Sequence, residues 1–158
     1  MLKIICVGKL KDKSTKLMVN EYLKRLGAYT KIELIEVNDE MAPQSNSEAE
    51  NEIVKIKEGE RILTKIKDQD YMILLDLWGE MLDSLKFAKK MDEITTYHSS
   101  NITFVIGGSL GISKQVVERA NFRWKMSDLT FTHQLVRVLL LEQIYRSYKI
   151  NNNETYHK

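Results

Sequence analysis

The run Ile102-Thr103-Phe104-Val105-Ile106-Gly107-Gly108-Ser109-Leu110-Gly111 decides how this chain folds. Its first five residues are β-branched or aromatic and read as a short buried strand. The glycines that stop it allow a backbone path and a close approach that a Cβ would resist. Ser113 then caps a short helix to about Ala120. Strand, turn and helix together make the repeating unit of a parallel sheet, and the unit recurs on both sides. Leu2 to Val7 is a strand closed by Gly8; Ser14 opens a helix to about Leu26, with Leu17, Met18, Tyr22 and Leu26 at helical spacing and Gly27 at its end. Lys31 to Val37 is a second strand, followed by the polar stretch Asn38 to Ser47 around the only proline, Pro43. Ser47 opens a long charged helix carrying Ile53, Ile56, Ile62, Leu63 and Ile66. Tyr71 to Leu77 is a third strand, and Asp83 or Ser84 starts a helix with Leu85, Ala88, Met91 and Ile94 on its inner face. Phe122 to Ser127 is a fifth strand, His133 to Lys149 the last helix, and Ile150 to Lys158 a polar tail. The pattern predicts an α/β fold, a mainly parallel sheet with helices on both faces. No linker or repeat divides residues 1–158, so one domain is expected.

Composition narrows the class. The chain has 158 residues, 43% hydrophobic and 29% charged, ordinary values for a globular protein with a real core. The single cysteine, Cys6, can form no internal disulfide and sits in the apolar run Ile4 to Val7, as a buried inert thiol would. There is neither a signal-peptide pattern nor an apolar run approaching the ~20 residues of a membrane span. A cytoplasmic location is therefore expected. Net charge is only +2, yet residues 1–31 carry eight Lys or Arg against two acids, while residues 36–60 carry eight acids against two Lys. Lys9, Lys11, Lys13 and Lys16 are candidates for contact with a nucleic-acid backbone; the other reading is a solvated face.

Ligands of such sheets bind at loops after the carboxyl ends of the strands. Three loops qualify: Leu75 to Gly79, the glycine loop, and Met126 to Phe131. The glycine spacing matches neither GxGxxG nor a P-loop. The third loop mixes hydroxyls, one acid and apolar groups, which suits a ligand part adenine and part polar amino acid. Asp76 and Asp128 could accept hydrogen bonds from a ribose or an ammonium, or cap turns. His133 could cap or act. Glu142 and Arg146, at i and i+4, read as a surface pair. His98, His133 and His157 are far apart and no HExxH or CxxC occurs, so no metal site is expected.

VGKLK (7–11), EYLKRLGAYTKIELIEV (21–37), FVIGGSLG (104–111), SDLTFTHQLVRVLLLEQIYRSYKI (127–150) and the closing YHK together resemble the ribosomal RNA large subunit methyltransferase H family, of the SPOUT class. The resemblance implies a C-terminal trefoil knot and a homodimer that binds S-adenosylmethionine. It carries the cofactor residues onto Leu75, Gly107, Met126, Ser127, Asp128, Leu129, Thr130 and Phe131. The implied substrate is a pseudouridine in a 23S rRNA hairpin, methylated at N3 on the assembled ribosome. Three positions depart from the family pattern: Ala28 and Thr132 stand where proline is usual, and Asn153 where glycine is. Thr132 can cap the last helix, and Asn tolerates the left-handed conformation best after glycine. Asn152 stands where a basic residue is often found.

On this reading the tail sets Tyr156 and His157 over the base, and Arg146 stabilises negative charge on its carbonyl oxygens. His157 is the expected proton acceptor, with water or a ribosomal group as substitutes. A non-catalytic ribosome-binding factor with the same fold, or a small-molecule enzyme, would be the competing outcomes.

Overall fold

Alternation along the strands sorts the apolar residues onto two faces of one sheet. The computed structural model describes residues 1–45 and 47–158. Its strands are β1 (Leu2–Val7), β2 (Ile32–Val37), β3 (Tyr71–Met81), β4 (Ile102–Ile106) and β5 (Phe122–Lys125). The helices are α1 (Lys13–Leu26), α2 (Glu48–Leu63), α3 (Ser84–Tyr97), α4 (Lys114–Arg119) and α5 (His133–Asn151). The strands pair in the order β2-β1-β4-β3-β5, every pair parallel. Leu2, Ile4, Cys6, Ile73, Ile102, Phe104 and Ile106 face one way and pack with Val19, Leu26, Phe87, Met91, Ile94, Leu140, Leu141 and Ile144, so α1, α3 and α5 cover that face. Ile5, Val7, Met72, Leu74 and Val105 face the other way against Ile62 and Val116 of α2 and α4. The parallel sheet with helices on both faces is thus as the sequence predicts.

Four boundaries and three helix faces differ from the sequence expectation. Asp12, not Ser14, caps α1, its carboxylate accepting from Thr15 N at 2.9 Å. Leu17 and Met18 point outward, and Val19 and Leu26 are the buried positions of α1. Ile53 of α2 and Leu85 of α3 are likewise exposed, their places inside taken by Val54 and Phe87. β5 ends at Lys125 rather than Ser127, and α5 continues to Asn151. Strand β3 runs four residues longer than read: Leu75 and Glu80 both pair with Trp124, so residues 76–79 form an excursion in the strand. Gly79 makes it possible, because a Cβ there would lie 2.6 Å from the backbone carbonyl of Arg123. Phe87 stacks on Trp124 at 4.2 Å beneath that excursion.

Arg137 ties α5 to the sheet. It is wholly buried, donates to Gly8 O at 2.8 Å and Val7 O at 3.2 Å, and pairs with Glu36 at 2.7 Å. A buried guanidinium is tolerated because these carbonyls and the carboxylate replace its water. The thiol of Cys6, buried in the same region, is pushed up to about 12 by desolvation, so it stays protonated and inert.

Candidate active site

Because β4, β3 and β5 are adjacent and parallel, the loops leaving their carboxyl ends share one edge of the sheet. Leu75 is half-buried at the last residue before the excursion of β3, and Gly107 follows β4 directly. The side chain of Ile112 lies over Gly107, where a Cβ would meet its Cδ1 at 2.1 Å. Met126, Ser127 and Phe131 are half-buried, whereas Asp128, Leu129 and Thr130 are exposed. Ser127 Oγ accepts from Leu129 N at 2.9 Å and holds the turn. Thr132 caps α5, accepting from Leu135 N at 3.3 Å, as its hydroxyl allows.

The two carboxylates of these loops have protein partners. Asp76 is paired with Arg123 and accepts from Trp78 N at 3.1 Å; Asp128 binds Lys125 at 2.6 Å. Asp76 thus takes the turn-forming role, whereas Asp128 makes only the ion pair. Among the described residues, the backbone of 126–131 makes no backbone–backbone hydrogen bond, and apart from Leu129 N, which Ser127 holds, this leaves its N–H and C=O groups to meet the edge of a ligand.

The second group of site residues gathers around Glu142. Its Oε1 accepts from Arg146 Nε at 3.0 Å, Arg146 Nη2 at 2.5 Å and Tyr156 OH at 3.1 Å, and its Oε2 from Gln143 at 2.8 Å. The Glu142–Arg146 pair is therefore not the simple surface pair that its spacing suggests; it anchors the chain's end. Arg146 also lies over the Tyr156 ring at 4.7 Å and places Nη1 3.1 Å from His157 Nδ1. A guanidinium only donates, so Nδ1 accepts and the ring proton sits on Nε2. Burial, a hydrogen bond with Tyr22 and the Glu142 charge push the Tyr156 phenol up to about 12, so it remains a donor. The Glu142 carboxylate raises the Arg146 pKa despite desolvation, keeping the guanidinium charged.

The tail reaches this position by a reversal at Asn153, whose φ is +56. Glu154 then accepts from Tyr29 OH and Lys149 Nζ, both at 2.8 Å, and Tyr156 meets Tyr145 edge-on at 5.0 Å. The sequence read Glu142 only as a surface partner of Arg146 and Tyr22 only as a helix-face residue, and it assigned neither them nor Tyr29 or Tyr145 to the site; the aromatic spacing of Tyr145 and Tyr148 beside Lys149 was the available signal.

The structure brings Arg146, Tyr156 and His157 together and groups the cofactor candidates, but it separates the two sets. α5 starts at the carboxyl edge of the sheet, where Arg137 binds the end of β1, and its last turn stacks Tyr148 on Tyr29, just before the amino end of β2. Arg146 is thirteen residues beyond His133, ~20 Å along the helix at ~1.5 Å per residue. His133 itself is half-buried, and burial and the Arg137 charge lower its pKa. Among the described residues no group of three or more His, Cys, Asp or Glu could hold a metal ion, and no helix is long and apolar enough to cross a membrane.

Residues 1–157 match the family described as "Predicted SPOUT methyltransferase". The chain is 52% identical over 157 residues to the ribosomal RNA large subunit methyltransferase H of Clostridium novyi (strain NT), with 99% of both chains covered. It has the same identity and coverage to the proteins of that name from Bacillus thuringiensis subsp. konkukian (strain 97-27) and Latilactobacillus sakei subsp. sakei (strain 23K). With a match over nearly its whole length and half of its residues identical to such relatives, this chain belongs to the SPOUT methyltransferase family.

Proposed function

We propose that this protein methylates N3 of a pseudouridine in a 23S rRNA hairpin on the assembled ribosome, using S-adenosylmethionine and acting as a cytoplasmic homodimer. Family membership and the names of its relatives support the reaction class. The observation that carries the residue assignments is the folded-back tail, which holds Tyr156 and His157 on Arg146 with N–H groups available. The residues of the carboxyl-edge loops suit the cofactor: Leu75, Met126 and Phe131 offer apolar surface, and the backbone of 126–131 offers unspent hydrogen-bonding groups. Gly107 lets the loop pass close beneath the Ile112 side chain, where any larger residue would push that side chain out of place. The same reading has the C-terminal segment threaded as a trefoil knot and residues 1–158 acting as one domain.

When bound, S-adenosylmethionine would supply an electrophilic methyl group for in-line transfer, with its sulfur leaving as the thioether, so the protein's work is alignment and exclusion of water. Arg146 and the Nε2–H of His157 face developing negative charge on the pyrimidine carbonyl oxygens. In this arrangement His157 donates rather than accepts, because its Nδ1 is committed to Arg146; the N3 proton then leaves to water. Tyr156, held as a phenol by Glu142, stacks or donates.

A distance of ~20 Å along α5 is too far for one chain's tail to reach its own cofactor loops. A second copy supplies the missing half. Leu77 (60% exposed), Trp78 (84%), Leu129 (68%), Met81, Leu85 and Leu135 are uncovered apolar side chains at the carboxyl ends of β3 and β5 or in the first turns of α3 and α5. Such a face is one that an obligate dimer buries. Transfer of a radiolabelled methyl group to ribosomes from a strain lacking this protein, with mass mapping of the product, tests the reaction. Label in any nucleoside other than a pseudouridine, or none, overturns it. Removing residues 154–158 is expected to abolish turnover while calorimetry with S-adenosylmethionine gives an unchanged affinity.

A further inference from the structure

A polar hollow of about 460 Å³ opens beside the glycine loop, on the side away from Leu75 and residues 126–131. It lies where the sheet changes direction. From β1 the chain moves to β2 by way of α1 on one face, whereas from β4 it moves to β5 by way of α4 on the other. The loops leaving these two neighbouring strands part, and such a switch point is where open α/β sheets make their binding crevice. The volume is within the ~300–1,000 Å³ of pockets that take small ligands.

Both signs of charge line it. Lys9 and Lys11 stand exposed at the mouth, with no ion-pair partner among the described residues. Glu58, only 5% exposed, lines the wall against Gly108; a Cβ on that glycine would lie 2.8 Å from its Oε1. Glu58 Oε2 accepts from Glu40 N at 3.1 Å, and Oε1 has no donor among the described residues. Asp39 adds a second carboxylate, while the acids nearest it are already neutralised, Glu40 by Arg61 and Glu36 by Arg137. His133 and Gln134, from the first turn of α5, close the side nearest the cofactor loops. A buried acceptor, Glu58, with the exposed Asp39 carboxylate and the two cations beside it, matches a ligand with N–H donors at one end and an anion at the other.

We propose that this hollow receives one nucleotide turned out of the RNA substrate, its phosphate on Lys9 and Lys11 and the ring N–H edge of its base on Glu58 and Asp39. The inference rests on the RNA-methyltransferase reading and names the part of the chain that holds the RNA. Uracil-type bases and guanine present a ring N–H; cytosine and adenine present a ring acceptor there, which a carboxylate repels. Gly8, with φ +85, gives the β1 loop the turn that brings Lys9 and Lys11 to the mouth.

Amide chemical-shift titrations of the full chain with UMP, GMP, CMP, AMP, ribose 5-phosphate and inorganic phosphate test the pocket. UMP and GMP are expected to shift Gly8, Gly108 and Ser109 and to bind at least threefold tighter than CMP and AMP. Equal effects from all six, or shifts confined to residues 126–131, would overturn the proposal. Ala42→Trp, at the exposed rim, should fill the hollow and remove the UMP shifts, and Lys9→Ala with Lys11→Ala should raise KM for ribosomes about tenfold. In the double variant the salt dependence of ribosome binding should flatten by about two phosphate contacts. S-adenosylmethionine affinity should stay within twofold in all variants. A KM within twofold of the parent in both would also sink the idea. If ribosomes accept no methyl group while the UMP shifts still map to the hollow, the reaction is wrong and the nucleotide site stands.

Discussion

Asn153 occupies the left-handed region at the turn that sends the tail back along α5. A β-branched residue there costs ~1–2 kcal/mol more than asparagine's own penalty would suggest from backbone sterics. Asn153→Val is therefore expected to loosen the tail and lower kcat with S-adenosylmethionine affinity unchanged, whereas Asn153→Gly should keep full activity; equal rates for the two would refute the role of the turn. His157 offers a sharper distinction. If its Nε2–H donates to a carbonyl oxygen, His157→Asn retains a donor and should outperform His157→Ala by tenfold or more in single-turnover rate. Equal loss in both variants would restore His157 as the proton acceptor. Asp70 concerns stability instead. It is buried, and though burial pushes its pKa up, hydrogen bonds from Lys3, Lys67 N and Thr103 outweigh that and hold it below the usual carboxylate range. A depressed folded pKa means stability present above the unfolded value of ~3.9 and lost as pH falls below it. Asp70→Asn leaves Lys3 buried without its partner and should cost about 3 kcal/mol at neutral pH. Denaturant titrations at pH 7 and pH 3 should show the difference between variant and parent shrinking in acid; an unchanged difference contradicts the linkage. At this scale Asn153 was readable from its residue type, but Glu142 was not. Spacing shows that it can meet Arg146, and only the returning tail shows what else it holds.

Among the elements, the helix starts at Ser47, Asp83, Ser113 and Thr132 were legible because each hydroxyl or carboxylate caps three residues ahead, as observed. Ser14 misled, since Asp12 upstream offers the stronger acceptor. The inward faces of α1 and α3 were harder to read. Both helices carry apolar residues on more than one side, and the position of α5 decides which side is covered. The excursion in β3 had no sequence signal beyond Gly79, and it shapes the first of the three candidate cofactor loops. Gly79→Ala drives a methyl group into the Arg123 backbone and must shift β5 or the excursion. The expected result is a cofactor affinity reduced tenfold or more and a lower Tm; wild-type affinity would show that the excursion does not shape the site.

For the whole molecule, strand order is what sequence could not supply. Adjacent parallel β4, β3 and β5 collect three loops spread over residues 75–131, and α5 separates those loops from the tail. The separation makes a prediction about assembly. Trp78→Asp should yield monomers by sedimentation and lose methyl transfer. Mixing a chain lacking 154–158 with a Gly107→Ala chain, expected to bind no cofactor, should recover activity that neither has alone, because on the proposed reading a mixed pair contains one intact tail facing one intact set of loops. Continued silence of the mixture would place tail and cofactor in one chain.

The buried Arg137 has a consequence for how the protein is made. Its guanidinium closes onto the carbonyls of Val7 and Gly8, linking points 129 and 130 residues apart in the chain. Synthesis delivers the amino end first, so β1 must wait, with its last carbonyls unsatisfied, until nearly everything else has been translated. A nascent or prematurely stopped chain lacks both this latch and the tail beyond it. Such products should be cleared as unfolded protein rather than persist as partly active enzyme, and maturation should be all-or-none after release from the ribosome.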